Sequence, residues 1–167
     1  MGPFLSEIGA AWGSGQLQIY HEHFASERAR EFLSAQWQRL SEEGQSPERG
    51  SVVLATPTGE RHVLGLHMAA WVVARAGAHV GFLGGDTPVP ELAAAARQCQ
   101  ARGVVLSVAA GYRGDLQSQL RELTSLLPET VRVAVGGAGS SNVAASPYLL
   151  NGFDELLNWT KELLENK

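Results

Sequence analysis

Short apolar runs alternate with segments of helical periodicity from residue 51 to the end of this 167-residue chain. The predicted strands are Val52–Thr56, Ala78–Leu83, Val104–Val108, Val131–Val135 and Tyr148–Leu150. The predicted helices are His62–Ala76, Val89–Ala101, Asp115–Leu127 and Phe153–Glu165. Strands separated by helical segments of about 10 to 15 residues indicate right-handed crossovers. The pattern therefore predicts an α/β fold with a doubly wound, parallel, five-stranded sheet.

The first part of the chain has only helical patterns. Apolar residues recur at helical spacing over 4–12, glycines interrupt them at 13–15, and a second helix is expected from about residue 16 to Leu40. Residues 41–50 are polar and contain Gly and Pro, as linkers do. We therefore expect a partial helical cap at 1–45. Its two helices cannot bury both faces alone, so they form half of a bundle that other helices, a partner subunit or the α/β domain completes.

Composition and charge exclude several functional classes. The net charge is −4 and no tract of Lys or Arg occurs, so the chain itself is not expected to contact DNA. Cys99 is the only cysteine, which excludes an intramolecular disulfide. The N-terminus does not resemble a signal peptide, and charged or titratable side chains interrupt the longest apolar stretch, Val63–Gly85. A cytoplasmic protein without a membrane segment is expected.

The most informative motif is the segment Glu60–Gly65 (ERHVLG), which follows the first predicted strand. His62 is therefore expected on a loop at the carboxyl edge of a parallel sheet, where such folds bind ligands. Glu60 can accept a hydrogen bond from one imidazole nitrogen and leave the other free to bind a metal. Taken alone, a histidine at such a place is more often a surface or capping residue.

Two further elements follow this motif. The first is the segment Ser107–Ala109, which is separated from Gly65 by 41 residues (66–106). The second is Gly136-Gly137, which follows that segment after 26 residues (110–135). This order and spacing resemble the signature of cobalamin-binding domains, in which DxHxxG is followed by SxL and then GG. The resemblance implies a flavodoxin-like, Rossmann-like domain over 51–167. It also implies cobalamin, with its cobalt, as the cofactor.

The resemblance implies individual roles as well. His62 would be the metal ligand, binding cobalt from below in place of the cofactor's own base, and Glu60 would orient it. Ser107 would hydrogen-bond the displaced benzimidazole, and Gly136 and Gly137 would leave room for the nucleotide tail. The other positions implied at the cofactor are Arg61, Val63, Gly65 and Ala109. Glu60 stands where the family has Asp, and Ala109 stands where the family has Leu. We expect these changes to weaken packing at the cofactor but to leave cobalamin binding intact.

A dinucleotide-binding domain is the main alternative for a Gly-rich α/β sequence. The glycines of segment 136–139 follow a late strand rather than the first one, and they lack the GxGxxG spacing. The first strand leads instead into residues 56–60 (TPTGE), which do not form a phosphate-binding loop. An NAD site is therefore disfavoured.

The cap sequence indicates which cobalamin proteins the chain resembles. Trp12 followed by Glu22 and His23 is similar to the W…EH pattern of CarH/LitR-type light sensors, which are MerR-family repressors that bind adenosylcobalamin. This resemblance implies that Trp12 lies against the adenosyl group and that Glu22 and His23 contact it. Methyl-carrying corrinoid proteins typically have a Phe-Leu-Pro-like element where this chain has Gln18–His23. The light sensors commonly have His where this chain has Gly13, which leaves no histidine there for a bis-histidine photoproduct.

Together these features predict a light-responsive sensory domain of a transcriptional regulator, and not an enzyme. Adenosylcobalamin would bind in the base-off form with His62 on cobalt, and the chain would form a homo-oligomer. DNA would be contacted only through a missing or separate module. A corrinoid methyl carrier of a methyltransferase system is the alternative, and a flavodoxin-like domain without corrinoid is a third. The sequence leaves open whether the chain is part of a longer regulator.

Overall fold

The computed structural model describes residues 19–42, 50–140, 143 and 148–165. The strands are β1 (Ser51–Pro57), β2 (His79–Thr87), β3 (Ala101–Ser107), β4 (Arg132–Gly136) and β5 (Tyr148–Leu150). The helices are α1 (Ile19–Glu42), α2 (Leu64–Arg75), α3 (Val89–Gln98), α4 (Leu116–Leu126) and α5 (Phe153–Glu165). The strands form one parallel sheet in the order β2-β1-β3-β4-β5. The predicted α/β fold is confirmed.

Helices cover both faces of the sheet. Leu66 and Val73 of α2 pack with Trp159 of α5 on one face. Leu92 of α3 and Leu120 of α4 belong to the core on the opposite face. Every residue of the interior strand β1 is buried, which explains the apolar run at 52–55, because a parallel strand covered on both sides has no solvent face.

Some element boundaries differ from the sequence prediction. The helix expected from His62 begins at Leu64, so His62 itself lies in the β1–α2 loop. The helix expected to reach Ala101 ends at Gln98, and Ala101 belongs to β3, where it pairs with Ser51. The physical reason is Gln100, whose φ of 48° is left-handed and turns the chain into the strand.

Helix α1 packs on α2 through aromatic contacts. The indole N–H of Trp37 donates to Nδ1 of the buried His67 at 3.2 Å, and the Trp37 ring stacks on Phe82 with a centroid distance of 5.3 Å. Burial, reinforced by the charge of Arg30, lowers the pKa of His67 and favours the neutral ring that this hydrogen bond requires. Helix α1 runs through Glu42, two residues into the segment predicted as a linker. None of the helices described here is long and apolar enough to cross a membrane.

Candidate functional site

The loop after β1 presents His62 on a buried carboxylate. Nδ1 of His62 lies 2.6 Å from Oε1 of Glu60, and the backbone N–H of His62 donates to the same oxygen at 2.8 Å. The Glu60 side chain is only 2% exposed, whereas the His62 side chain is 79% exposed. An imidazole that donates a hydrogen bond from Nδ1–H to a fixed carboxylate keeps an unprotonated Nε2, whose lone pair can bind a metal. The arrangement is therefore that of an oriented metal ligand with an accessible coordinating atom.

The second oxygen of Glu60 connects this loop to the end of β3. Oε2 accepts a hydrogen bond from the backbone N–H of Ala109 at 3.1 Å. Burial raises the pKa of the Glu60 carboxyl, but the hydrogen bonds from His62 and from the Ala109 amide outweigh burial and bring the pKa below its usual value. The carboxylate thus stays charged, and the proton stays on Nδ1 of His62. Ala109, which was predicted at the cofactor site, therefore takes part through its backbone N–H, which holds the Glu60 carboxylate.

Residues that the sequence analysis did not single out hold the backbone of this loop. The hydroxyl of Thr56 donates to the carbonyl of Glu60 at 2.5 Å, and Oδ1 of Asp86 accepts from the N–H of Gly59 at 2.7 Å. On the other side, the hydroxyl of Tyr112 donates to the carbonyl of Thr58 at 2.9 Å. Asp86 was detectable in principle, because it lies near the end of a parallel strand at the same sheet edge as His62.

A cavity of about 450 Å³ opens beside the loop, at the carboxyl ends of β3, β4 and β5 and between α2 and α5. Ser107 pairs with Gly136 across β3 and β4, and both residues line this cavity. Gly65 at the start of α2 and Gly137 line it as well. Apolar side chains complete most of the wall, among them Ala69, Leu149, Phe153 and Leu156. The structure thus brings Gly65, Ser107 and the glycine pair together around one space.

The glycines at this site differ in what requires them. A Cβ at Gly65 would lie 3.1 Å from Oγ of Ser107, so glycine allows α2 to approach β3 closely, as expected. Gly137 has a φ of 101°, and a Cβ there would lie 2.3 Å from the carbonyl oxygen of Val108. The turn after β4 therefore requires glycine at 137 whether or not a ligand enters the cavity.

The other predicted site residues are more peripheral. Arg61 is exposed, and its Nε lies 3.8 Å from Oδ2 of Asp86. Val63 is half-buried at the N-terminus of α2. Glu22 and His23 belong to α1, and His23 is exposed. Trp12 lies outside the described residues. Contacts between the cap residues and a cofactor therefore stay a prediction.

The residues present fit a corrinoid. Such a cofactor would bring most of its metal's ligands with it, so the protein would need to supply one exposed, oriented nitrogen ligand, and His62 meets this requirement. A base displaced from the metal needs a largely apolar space with a polar group near its nitrogen, and the cavity offers this with Ser107 on its wall. A dinucleotide would require a phosphate-binding turn after β1. In this chain that position holds His62 and the Glu60 carboxylate that it contacts, which disfavours a dinucleotide site.

Comparisons with known proteins agree with this reading. A family model described as the B12 binding domain matches residues 50–161. The HTH-type transcriptional repressor CarH of Myxococcus xanthus is 31% identical over 141 residues, which are 84% of this chain and 46% of that repressor. The chain thus spans a little less than half of that relative's length.

A relative of another kind is the dimethylamine corrinoid protein 1 of Methanosarcina acetivorans. It is 26% identical over 167 residues, covering 96% of this chain and 78% of that protein. The solved structure of the Methanosarcina barkeri monomethylamine corrinoid protein superposes with a TM-score of 0.69 at 13% identity, covering 95% of this chain and 78% of that one, and supports the fold. The resemblance to CarH-type proteins is confirmed, cobalamin is the cofactor that the family indicates, and the chain belongs to the B12-binding domain family.

Proposed function

We propose that this chain is the light-responsive sensory domain of a transcriptional regulator and binds adenosylcobalamin in the base-off form with His62 on cobalt. The observation that carries the proposal is the exposed imidazole fixed by the buried Glu60 carboxylate at 2.6 Å. The 31% identity to the repressor CarH favours a regulator over other cobalamin proteins. We propose no catalytic step for this chain.

Each part of the site has a distinct task in this proposal. Glu60 would hold the proton on Nδ1 and keep Nε2 of His62 available as the nitrogen ligand of cobalt. The cavity beside Ser107 takes the nucleotide tail out of water, and its apolar walls stabilise the displaced base. When bound, adenosylcobalamin supplies a cobalt–carbon bond that light can break.

A sensory role requires two conformations that differ in affinity for the upper ligand. The cap is the part of the chain that would distinguish them, and we assign this role to Trp12 with Glu22 and His23. In the dark, the adenosyl group would hold the indole of Trp12. Without that contact the cap would rearrange and change a contact between copies of the chain, so the proposal includes a homo-oligomer. DNA would be bound by a separate module.

The proposal predicts a change of assembly on illumination. The complex with adenosylcobalamin should elute at different volumes in size-exclusion chromatography before and after green light, because loss of the upper ligand alters the cap. The complex with hydroxocobalamin, which has no light-labile carbon ligand, serves as the control and should not change. Identical elution of the adenosylcobalamin complex in darkness and after light would contradict a light-switched oligomer.

A corrinoid methyl carrier is the second candidate. The 26% identity to a dimethylamine corrinoid protein across 96% of this chain favours it, and so does Gly13 in place of the histidine common in light sensors. The same His62 ligation would serve this role. A clear preference for methylcobalamin over adenosylcobalamin in binding titrations, with methyl transfer to a thiol acceptor when a partner enzyme is added, would support the carrier and reverse our ranking.

Replacement of Trp12 by alanine tests the cap directly. If the indole packs on the adenosyl group, its loss should cost about 2 kcal/mol, which corresponds to a roughly 30-fold lower affinity for adenosylcobalamin. Methyl- and hydroxocobalamin should be much less affected, because their upper ligands are too small to reach the indole. Trp71→Ala is the matched control, since it removes a partly exposed indole from α2. Equal losses for all three cobalamins would make Trp12 an ordinary core residue.

A further inference from the structure

Asp86, near the end of β2, has an unusual backbone conformation. Its φ is 54°, in the left-handed region that side-chain-bearing residues rarely adopt, although Asp and Asn tolerate it better than others. The register between β1 and β2 is irregular around this position, where Ala55 pairs with Gly84 and Pro57 with Thr87. Strained positions of this kind persist only where surrounding contacts fix them, and they cluster at functional sites.

The contacts that fix Asp86 involve the end of β1 and the turn that precedes His62. Its carboxylate Oδ1 accepts the N–H of Gly59 at 2.7 Å. Its own backbone N–H points to two acceptors, the carbonyl of Glu60 at 2.7 Å and the hydroxyl of Thr56 at 2.9 Å. The left-handed conformation allows the side chain and the backbone of one residue to hold the same short segment.

This contact set complements that of Glu60. The Glu60 carboxylate fixes the rotation of the imidazole, but it can do so only if its own backbone is fixed relative to the sheet. Asp86 provides that attachment from β2, whereas Ala109 attaches the carboxylate itself to the loop after β3. A loop ordered before a ligand arrives does not lose conformational entropy on binding, and this increases affinity.

We propose that Asp86 is a positioning residue, which orders the loop that carries His62 so that its imidazole meets the cobalt of a bound corrinoid. The inference rests on the proposed ligation of cobalt by His62. The chemical requirement at position 86 is a hydrogen-bond acceptor on a residue that tolerates a left-handed backbone, and a negative charge is not required.

Three substitutions separate these requirements. Asp86→Gly keeps the backbone conformation but removes the acceptor, and Asp86→Asn keeps both. Asp115→Ala is the control at a distance from the loop, because Asp115 also accepts a backbone N–H, that of Ser118 at 2.9 Å, but does so at the N-terminus of α4. Thermal unfolding of each variant without cobalamin shows whether the fold is retained.

The test measures the dissociation constant for cobalamin and the fraction of bound cobalamin that carries a histidine ligand. That fraction is read from the EPR spectrum of the Co(II) form in protein labelled with ¹⁵N-histidine, because a ¹⁵N ligand splits each cobalt line in two, whereas the cofactor's own ¹⁴N base splits it in three. Asp86→Gly should weaken binding by about tenfold and lower that fraction, as is typical when the support of a metal ligand is removed. Asp86→Asn should stay within about twofold of the native protein, and Asp115→Ala should leave both quantities unchanged.

Two results would overturn the inference while leaving the proposed function intact. One is a native-like histidine-bound fraction in Asp86→Gly, and the other is an equal loss in Asp86→Gly and Asp86→Asn. If the native protein binds cobalamin without nitrogen splitting from a histidine, the ligation by His62 is itself wrong, and the role of Asp86 fails with it.

Discussion

Replacing His62 with alanine should reduce the affinity for cobalamin at least ~100-fold, because changes to residues that merely support a metal ligand already cost 10- to 100-fold. The structure gives a reason for so large an effect. The imidazole is already oriented by Glu60 at 2.6 Å and is exposed, so its coordinating nitrogen is available without rearrangement. Any cobalamin that still binds should lack a histidine ligand, which its absorption spectrum would show.

Rescue by free imidazole provides the control for this variant. Removal of the exposed side chain should leave the fold intact, since the ring lies mostly in solvent and the Glu60 carboxylate keeps the backbone N–H donors of residues 62 and 109. Added imidazole should therefore restore the absorption spectrum of the histidine-ligated form. A His62→Ala protein with the native spectrum and the native dissociation constant would show that another group binds the cobalt.

Replacing Ala69 with phenylalanine should lower the affinity for cobalamin on the order of 100-fold, as expected for a loss of ~3 kcal/mol of apolar contact. Ala69 lies on α2 and lines the 450 Å³ cavity, so the added ring would occupy space proposed for the nucleotide tail. Ala69 also belongs to the core on that face of the sheet, so thermal unfolding of the variant without cobalamin is needed to show that the fold is retained. The dissociation constant follows from titration monitored by absorption.

Two comparisons make this experiment specific. Cobinamide, a corrinoid that lacks the nucleotide tail, should bind the Ala69→Phe variant as well as it binds the native protein. Ala94→Phe places the same ring on the exposed side of α3 and should change neither affinity. If Ala69→Phe weakened cobinamide binding as much as cobalamin binding, the cavity would not be the place of the tail.

The alternation of apolar runs and helical segments was sufficient to predict the sheet. Each central strand is rich in Val, Leu and Ala, so its position was clear. The start of β3 was missed because Ala101, Arg102 and Gly103 have no strand preference and follow a helix-forming sequence. The end of β2 was missed for a related reason. Gly84, Gly85 and Asp86 favour turns in isolation, and the strand continues through them because Gly84 and Thr87 pair with β1.

The motif residues could be predicted from the sequence, but the contacts that hold them in place could not. His62 and Glu60 could be paired from sequence because two residues on one loop are necessarily close. The hydrogen bond from Ala109 to Glu60 could not, since it comes from a backbone amide that every residue but proline has. The resemblance implied room for the tail beside Gly136 and Gly137, but the walls that α2 and α5 contribute to the cavity were not predicted, because these helices are far apart in the chain. The cap residues Trp12, Glu22 and His23 rest on the family resemblance alone.

The turn after β4 has a consequence for how such sequences are recognised. Because the backbone at Gly137 and its proximity to Val108 exclude any side chain, natural selection would retain this glycine in a descendant that had lost its cofactor. Gly139 is similarly confined, since a Cβ there would lie 2.1 Å from the carbonyl oxygen of Ala109. Gly137 and Gly139 thus indicate the topology of the chain, whereas the pairing of Glu60 with an exposed His62 is the feature that separates a cobalamin-binding domain from a relative of the same fold that binds no corrinoid.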